Sequence, residues 1–321
     1  MFVIDVSLLF DSLLIFSLAF LIDLVFGELP DSIHPTLWMG KVIDYFKPKI
    51  KSENPRAEKI NGVLLGIFII ILFAVPVYFV IFLVRKFLGW VPYIVVSAFL
   101  LSTAIAIKCM KQYTLPVANC LENEDCDKAK ELLPFIVRRD PTGLNKRHII
   151  SAAVETTAEG TTDGITSPFF YFALFGVPGA VAFRVINTLD SMVGYKDRDH
   201  INIGWFSAKM DTIANYIPAR LTAILMVLAA RLLKENWRNS WRILQRDKKN
   251  TESLNAGWTL SAMAGALSIQ LEKPGFYRIG DKKDISATHI RRALRVMLLT
   301  AILFSIFIIL PILVVKTLII I

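Results

Sequence analysis

Five polar residues recur at four-residue intervals in one short stretch of the chain: Arg147, Ser151, Glu155, Glu159 and Asp163. On a helix of 3.6 residues per turn they form one narrow stripe. The helix that would carry it, from Asn145 to about Thr162, has small residues at other positions (SAAV, Ala158, Gly160) and is followed by an apolar block. Acidic stripes usually face water. Here the small residues point to close packing, and three carboxylates on a buried stripe repel one another unless a cation or basic side chains lie between them. The pattern therefore favours a divalent metal, most simply magnesium held through oxygen ligands and water.

A second polar concentration runs from 184 to 220. If RVINTLDSMVGY is helical, Arg184, Asn187 and Ser191 share a face with Asp190 at its border. Arginine, asparagine and aspartate together suit phosphate and metal binding; the plainer alternative is a helix end with snorkelling charges. Asp211, Asn215 and Arg220 repeat the pattern on the next predicted helix. Neither GxxxxGK[ST] nor a GxGxxG helix start occurs, so any nucleotide is held by something other than a P-loop or Rossmann turn. His34, His148, His200 and His289 lack paired spacing, which argues against a histidine metal site, and His34 reads as structural. Cys109, Cys120 and Cys126 form no CxxC pair, so neither a zinc ribbon nor a disulfide framework is indicated.

The elements that must position these residues belong to a greasy, basic chain. Of 321 residues 55% are hydrophobic, the mean hydropathy is +0.54, and the formal net charge is +9. The expectation is an all-α polytopic membrane protein with four to six membrane helices and cytoplasmic helical loops, not a nucleic-acid binder, because the positive charge flanks apolar runs. Segments 6–26, 62–84, 91–110 and 298–321 are long and apolar enough to span. Segments 168–190 and 216–233 carry polar intrusions and are read as buried or half-inserted helices, either both crossing or both staying in. Lysines and arginines place 27–60, 111–166, 191–216 and 234–297 on the cytoplasmic side of the cell membrane. DCDKAKELLPFIV predicts a short amphipathic helix stopped near RRDPTG. Residues 254–272 predict a small-residue helix that allows close backbone approach and covers the site. One membrane domain, 1–321, accounts for all of this, with no internal repeat.

Six ordered blocks then carry a resemblance: HPTLWMGK at 34–41, RRDPTGL at 138–144, AAVETTAEGTTDGITSPFFY at 152–171, GVPGAVAFRVINTLDSMVGYK at 176–196, GWFSAKMDTIANYIPARLTA at 204–223 and NAGWTLSAMAGAL at 255–267. Together they resemble the CobD/CbiB family, membrane-bound adenosylcobinamide-phosphate synthases of cobalamin biosynthesis. Gly160 and the proline of RRDPTGL depart from the family pattern without removing a carboxylate. The resemblance implies ATP-dependent amide ligation of aminopropanol, or its O-phosphate, to a propionate carboxylate of adenosylcobyric acid. It implies Glu155, Glu159, Asp163 and Asp190 as catalytic groups and magnesium ligands, and Arg138, Arg139, Arg184 and Lys196 for ATP or aminopropanol phosphate. His34, Asn187, Asp211, Asn215 and Arg220 would contact substrate. A transporter and a non-catalytic membrane partner of AmpE type are the rival classes.

Overall fold

The computed structural model describes residues 6–27, 30, 32, 34–137, 141 and 143–319. In chain order the helices are α1 (Val6–Phe26), α2 (Pro35–Phe46), α3 (Pro55–Leu88), α4 (Trp90–Ser102), α5 (Ile107–Glu122), α6 (Cys126–Leu132), α7 (Lys146–Thr161), α8 (Ser167–Val193), α9 (Trp205–Ala214), α10 (Tyr216–Leu232), α11 (Trp237–Asp247) and α12 (Ala256–Leu267). A hairpin of β1 (Gln270–Lys273) and β2 (Tyr277–Gly280) follows, then α13 (Thr288–Phe304) and α14 (Leu310–Ile319).

Local signals explain several boundaries. The Asn54 side chain accepts from the N–H groups of Arg56 and Ala57 ahead of Pro55, so α3 starts well before its apolar stretch; it ends at Gly89, whose φ of +88° suits glycine. Asp125 caps α6 by accepting from the Lys128 N–H, as the acidic start of that segment foretells. Asn145 caps α7 through the His148 N–H. The α geometry stops at Thr161, close to the expected end, but the helical run does not. Residues 162–166 form a wide π turn, and the helical run goes on to Val193 with a kink at Gly176. No proline stands between 145 and 167 to break it, and Thr157 and Thr161 return their hydroxyls to carbonyls four residues back.

Five helical runs among the described residues are long and apolar enough to cross a membrane: Ser7–Phe26, Pro55–Leu88, Trp90–Glu122, Lys146–Val193 and Thr288–Leu318. A pair broken at Asn215, Trp205–Ala214 with Tyr216–Leu232, passes together as a sixth. Segment 168–190 lies inside one of these runs, which is kinked at Gly176 and has half of its apolar window buried. In the count of six both doubtful segments are long and apolar enough to cross, one of the two arrangements that the charge distribution allows.

The chain divides into two compact units. The first comprises Met1–Ala106, Ser167–Ala214 and Ile308–Ile321. Here α1 packs on α4, and α8 on α3 and α9. Phe16 meets Phe169 edge-on at 4.8 Å, and Tyr171 stacks on Phe183 at 5.2 Å. Asp11, 3% exposed inside a candidate span, accepts from the Trp90 indole N–H at 2.6 Å and pairs with Arg85 at 3.3 Å. A carboxylate at that depth is tolerable because it has these partners.

The second unit comprises Ile107–Thr166 and Asn215–Phe307. Its centre is α12, which packs on α7, α10, α11 and α13 and has ten buried residues, Gly257 and Thr259 to Leu267. Through that position it lies directly against α7, the helix that carries the acidic stripe. The close backbone approach is present: the Ser240 hydroxyl donates to the Ala262 carbonyl at 2.7 Å, and a Cβ on Gly265 would lie 2.6 Å from both the Asn239 oxygen and the Ser240 Cα. The helix ends earlier than expected. Ser268 takes a left-handed conformation (φ +55°) and the chain turns into β1. Gly265→Ala therefore forces α11 and α12 apart, and a loss of roughly 1–3 kcal/mol is expected, read as a lowered thermal-unfolding midpoint in detergent.

Candidate functional site

The acidic stripe does not face open water. Glu155 is 2% exposed, while Glu159 and Asp163 are half-buried. The hairpin is what closes over Glu155. Its register pairs Glu272 with Arg278 on one face, and on the other Lys273 with Tyr277 beside the buried pair Leu271 and Ile279. Tyr277 donates its phenol to Glu155 Oε2 at 2.7 Å, and Ser151 donates to Oε1 at 2.6 Å. Ser151 Oγ in turn accepts the Glu272 backbone N–H at 2.7 Å. One hydroxyl thus ties α7, the carboxylate and β1 together. Arg147, the first member of the stripe, is spent on structure: it donates to the Lys283 carbonyl at 3.1 Å.

Ion pairs hold the rest of the hairpin. Arg278 donates to Glu272 at 2.7 Å, and the Glu272 carboxyl is lowered below the usual carboxylate range, chiefly by that hydrogen bond. His148 Nε2 lies 4.0 Å from the same carboxylate. At the far end the Gly280 N–H donates to the buried Asp247 carboxylate, and Arg246 bridges Asp247 and Asp281 at 2.6 and 2.8 Å. Arg242 also pairs with Asp281, whose carboxyl is lowered mainly by its hydrogen bond from Arg246.

Elsewhere in the second unit, Arg220 donates to Asn255 Oδ1 at 3.0 Å and to the Leu254 carbonyl, and its guanidinium lies 3.4 Å from the Tyr216 ring centroid. Trp258 stands 4.9 Å from Arg220 and 4.7 Å from Lys248. Asn215 is 1% exposed, at the break between α9 and α10. Asp211, Asn215 and Arg220 therefore do not repeat along one helix as expected: the helix is interrupted at Asn215.

In the first unit, Arg184, Asn187 and Asp190 lie half-buried on the last turns of α8. Asn187 Nδ2 reaches Asp211 Oδ1 on α9 at 3.4 Å. The turn after Asp190 favours glycine, since a Cβ on Gly194 would fall 2.7 Å from the Asp190 carbonyl oxygen. Lys196 lies on the exposed loop beyond it. In that loop His200 Nδ1 and Asp197 Oδ1 are 2.7 Å apart, and this hydrogen bond holds the Asp197 carboxyl low. His34 caps α2, its Nδ1 accepting the Thr36 N–H at 3.2 Å, which fits its structural reading. Arg138 and Arg139 lie outside the described residues.

Among the described residues no three histidine, cysteine, aspartate or glutamate side chains gather as a metal site. Glu155, Glu159, Asp163 and Asp190 are thus not assembled as a ready-made protein-only centre, and both oxygens of Glu155 already accept hydroxyl donors. Magnesium commonly binds through one or two carboxylates with substrate phosphates supplying the rest.

Tyr277, Glu272, Asn255 and Trp258 escape the sequence reading. Tyr277 was detectable: IQLEKPGFYRIG has a Pro-Gly turn, with Gly275 at φ +80°, between two short runs of strand character.

A family model described as "CobD/Cbib protein" matches residues 16–297, and the chain belongs to that family. It is 43% identical over 289 residues to a "Probable cobalamin biosynthesis protein CobD" of Methanothermobacter thermautotrophicus, covering 90% of this chain and 94% of the relative. It is 39% identical over 269 residues to the "Cobalamin biosynthesis protein CobD" of Dehalococcoides mccartyi, covering 84% and 87%. No solved structure matches it.

Ser151→Ala leaves the Glu272 N–H and Glu155 each short of a partner and should lower stability by about 1–3 kcal/mol in detergent melts. Glu272 and Asp281 have folded-state pKa values below their unfolded ones. The stability they contribute is fully present above the unfolded carboxylate range, near pH 4, and is lost as pH falls through the lower folded values. Thermal midpoints measured between pH 7 and 3 should fall with acid, less steeply in Glu272→Gln.

Proposed function

We propose that the chain is an ATP-dependent amide ligase of cobalamin biosynthesis. It would join aminopropanol, or its O-phosphate, to a propionate carboxylate of adenosylcobyric acid, giving adenosylcobinamide or its phosphate. The reading is supported by family membership over 16–297 together with the withdrawal of the acidic stripe from open water. A stripe that merely solubilised a helix would be exposed along its length.

A carboxylate does not react with an amine until it is activated. Transfer of the γ-phosphoryl group from ATP to a propionate oxygen would give an acyl phosphate and ADP. Attack of the amine nitrogen on the carbonyl carbon would then form the C–N bond and release phosphate. The nucleophile must first lose a proton, and Glu159 or Asp163, half-buried and acidic, suits that role. Arg184 and Lys196, with Arg138 and Arg139, are the proposed cations for the phosphates of ATP or of aminopropanol phosphate. Asn187, Asp211, Asn215 and Arg220 would orient substrate. ATP would enter with its Mg2+, which offsets phosphate charge. The reaction is placed at the cytoplasmic face of the cell membrane, where ATP is available.

The test is mass spectrometry of purified protein incubated with adenosylcobyric acid, ATP, magnesium and each amine in turn. The expected result is an amide product with stoichiometric ADP, and a rate reduced roughly 100-fold or more in Glu159→Gln if that residue is the base. No product with either amine, with substrate uptake into proteoliposomes instead, would support a transporter.

A further inference from the structure

Helix α11 takes no part in the chemistry above, yet it has an unusual outer face. Its buried positions, Ser240, Ile243, Leu244 and Asp247, lie on one side and pack on α12. The outer face is divided lengthwise. Trp237 and Trp241, one turn apart and 37% and 47% exposed, form one border. Arg238 and Arg242, also one turn apart, run beside them.

Trp237 is flanked by two guanidinium groups, Arg231 from the last turn of α10 at 5.3 Å from its ring centroid and Arg238 at 5.5 Å. Arg242 is paired with Asp281; Arg231 and Arg238 make no ion pair with a described residue. The place of α11 in the chain matters as much. It starts just beyond exposed Leu232, the last residue of the broken candidate span, with Lys234 in the connection.

Indole rings favour the headgroup level of a bilayer, where the ring is shielded and its N–H is wet. Guanidinium groups bind phosphate oxygens in a fixed fork. A helix with tryptophans along one border and arginines beside them, at the end of an apolar span, has the form of one lying in the plane of the interface.

We propose that α11 lies in the headgroup layer and that Trp237, Trp241, Arg231 and Arg238 form a docking surface for anionic phospholipid. The two indoles sit at the boundary with the acyl chains, and the two arginines face lipid phosphates. The positive charge of this face selects anionic over zwitterionic lipid.

The experiment uses the full chain in nanodiscs of phosphatidylcholine and phosphatidylglycerol in which only one of the two lipids carries brominated acyl chains. The emission of Trp237 and Trp241 is taken as the difference between the wild type and the Trp237→Phe, Trp241→Phe double variant. Brominated lipid should quench this difference signal, and brominated phosphatidylglycerol should do so at lower mole fraction than brominated phosphatidylcholine. Replacing Arg231 and Arg238 by Gln should weaken that preference roughly fivefold per residue, as expected for ~1 kcal/mol of attraction per basic side chain near an anionic surface. Absence of quenching by either lipid would overturn the proposal, and if the particle mass had doubled it would assign the face to a second copy of the chain. Equal quenching by the two lipids would overturn the anionic selectivity.

Discussion

A buried carboxylate needs partners, and Glu155 finds them on its own helix and on the hairpin. Ser151 and Tyr277 donate to its two oxygens, and Ser151 accepts from the backbone of β1. Without those donors a carboxylate only 2% exposed would be strongly unfavourable. The network also fixes register. Sliding β2 by a single residue would turn Tyr277 to the other face of the hairpin and bring Ile279 out of the core. The opposite end of the hairpin is fastened to α11 through Asp247 and Arg246. Through the hairpin α7 and α11 therefore share one polar framework, with α12 packed beneath them.

The first unit meets a related demand with different means. Asp11 is matched by Trp90 and Arg85 inside an apolar shell, so that a charge carried into a candidate span is not left alone. On α8, Gly176 adopts a φ of +70°, and with Pro178 it breaks the helix before the polar end that bears Arg184, Asn187 and Asp190. Asn187 and Asp211 then join that end to α9. Polar groups on α8 and α9 are thus gathered at helix ends and breaks, while Asp11, within α1, is met by partners of its own.

The sequence shows most plainly what hydrophobic period and capping chemistry encode. Apolar stretches, the helix starts at Asp125 and Asn145, and the burial tendency of the acidic stripe are all local properties. Three features lay beyond that reach. The run through 162–166 continues because a π turn absorbs an irregularity that no single residue announces. The place of α12 at the centre of its unit depends on which helices surround it, and its small residues fit a central or a peripheral position equally well. The role of Tyr277 depends on a contact across 122 residues of sequence, so a recognised hairpin would still not have identified its partner. Asp211 and Arg220 show the reverse difficulty: a real four-to-five-residue spacing is divided by the break at Asn215.

The reading of the site depends on Glu155 being held as a hydrogen-bonded carboxylate by the hairpin. The most direct measurement is a double-mutant cycle of Glu155→Gln and Tyr277→Phe on unfolding free energy in detergent. A coupling of roughly 0.5–3 kcal/mol is expected for groups in direct contact within one network. Additive losses, with no coupling beyond about 0.3 kcal/mol, would contradict the clamp and leave the burial of the stripe without its cause.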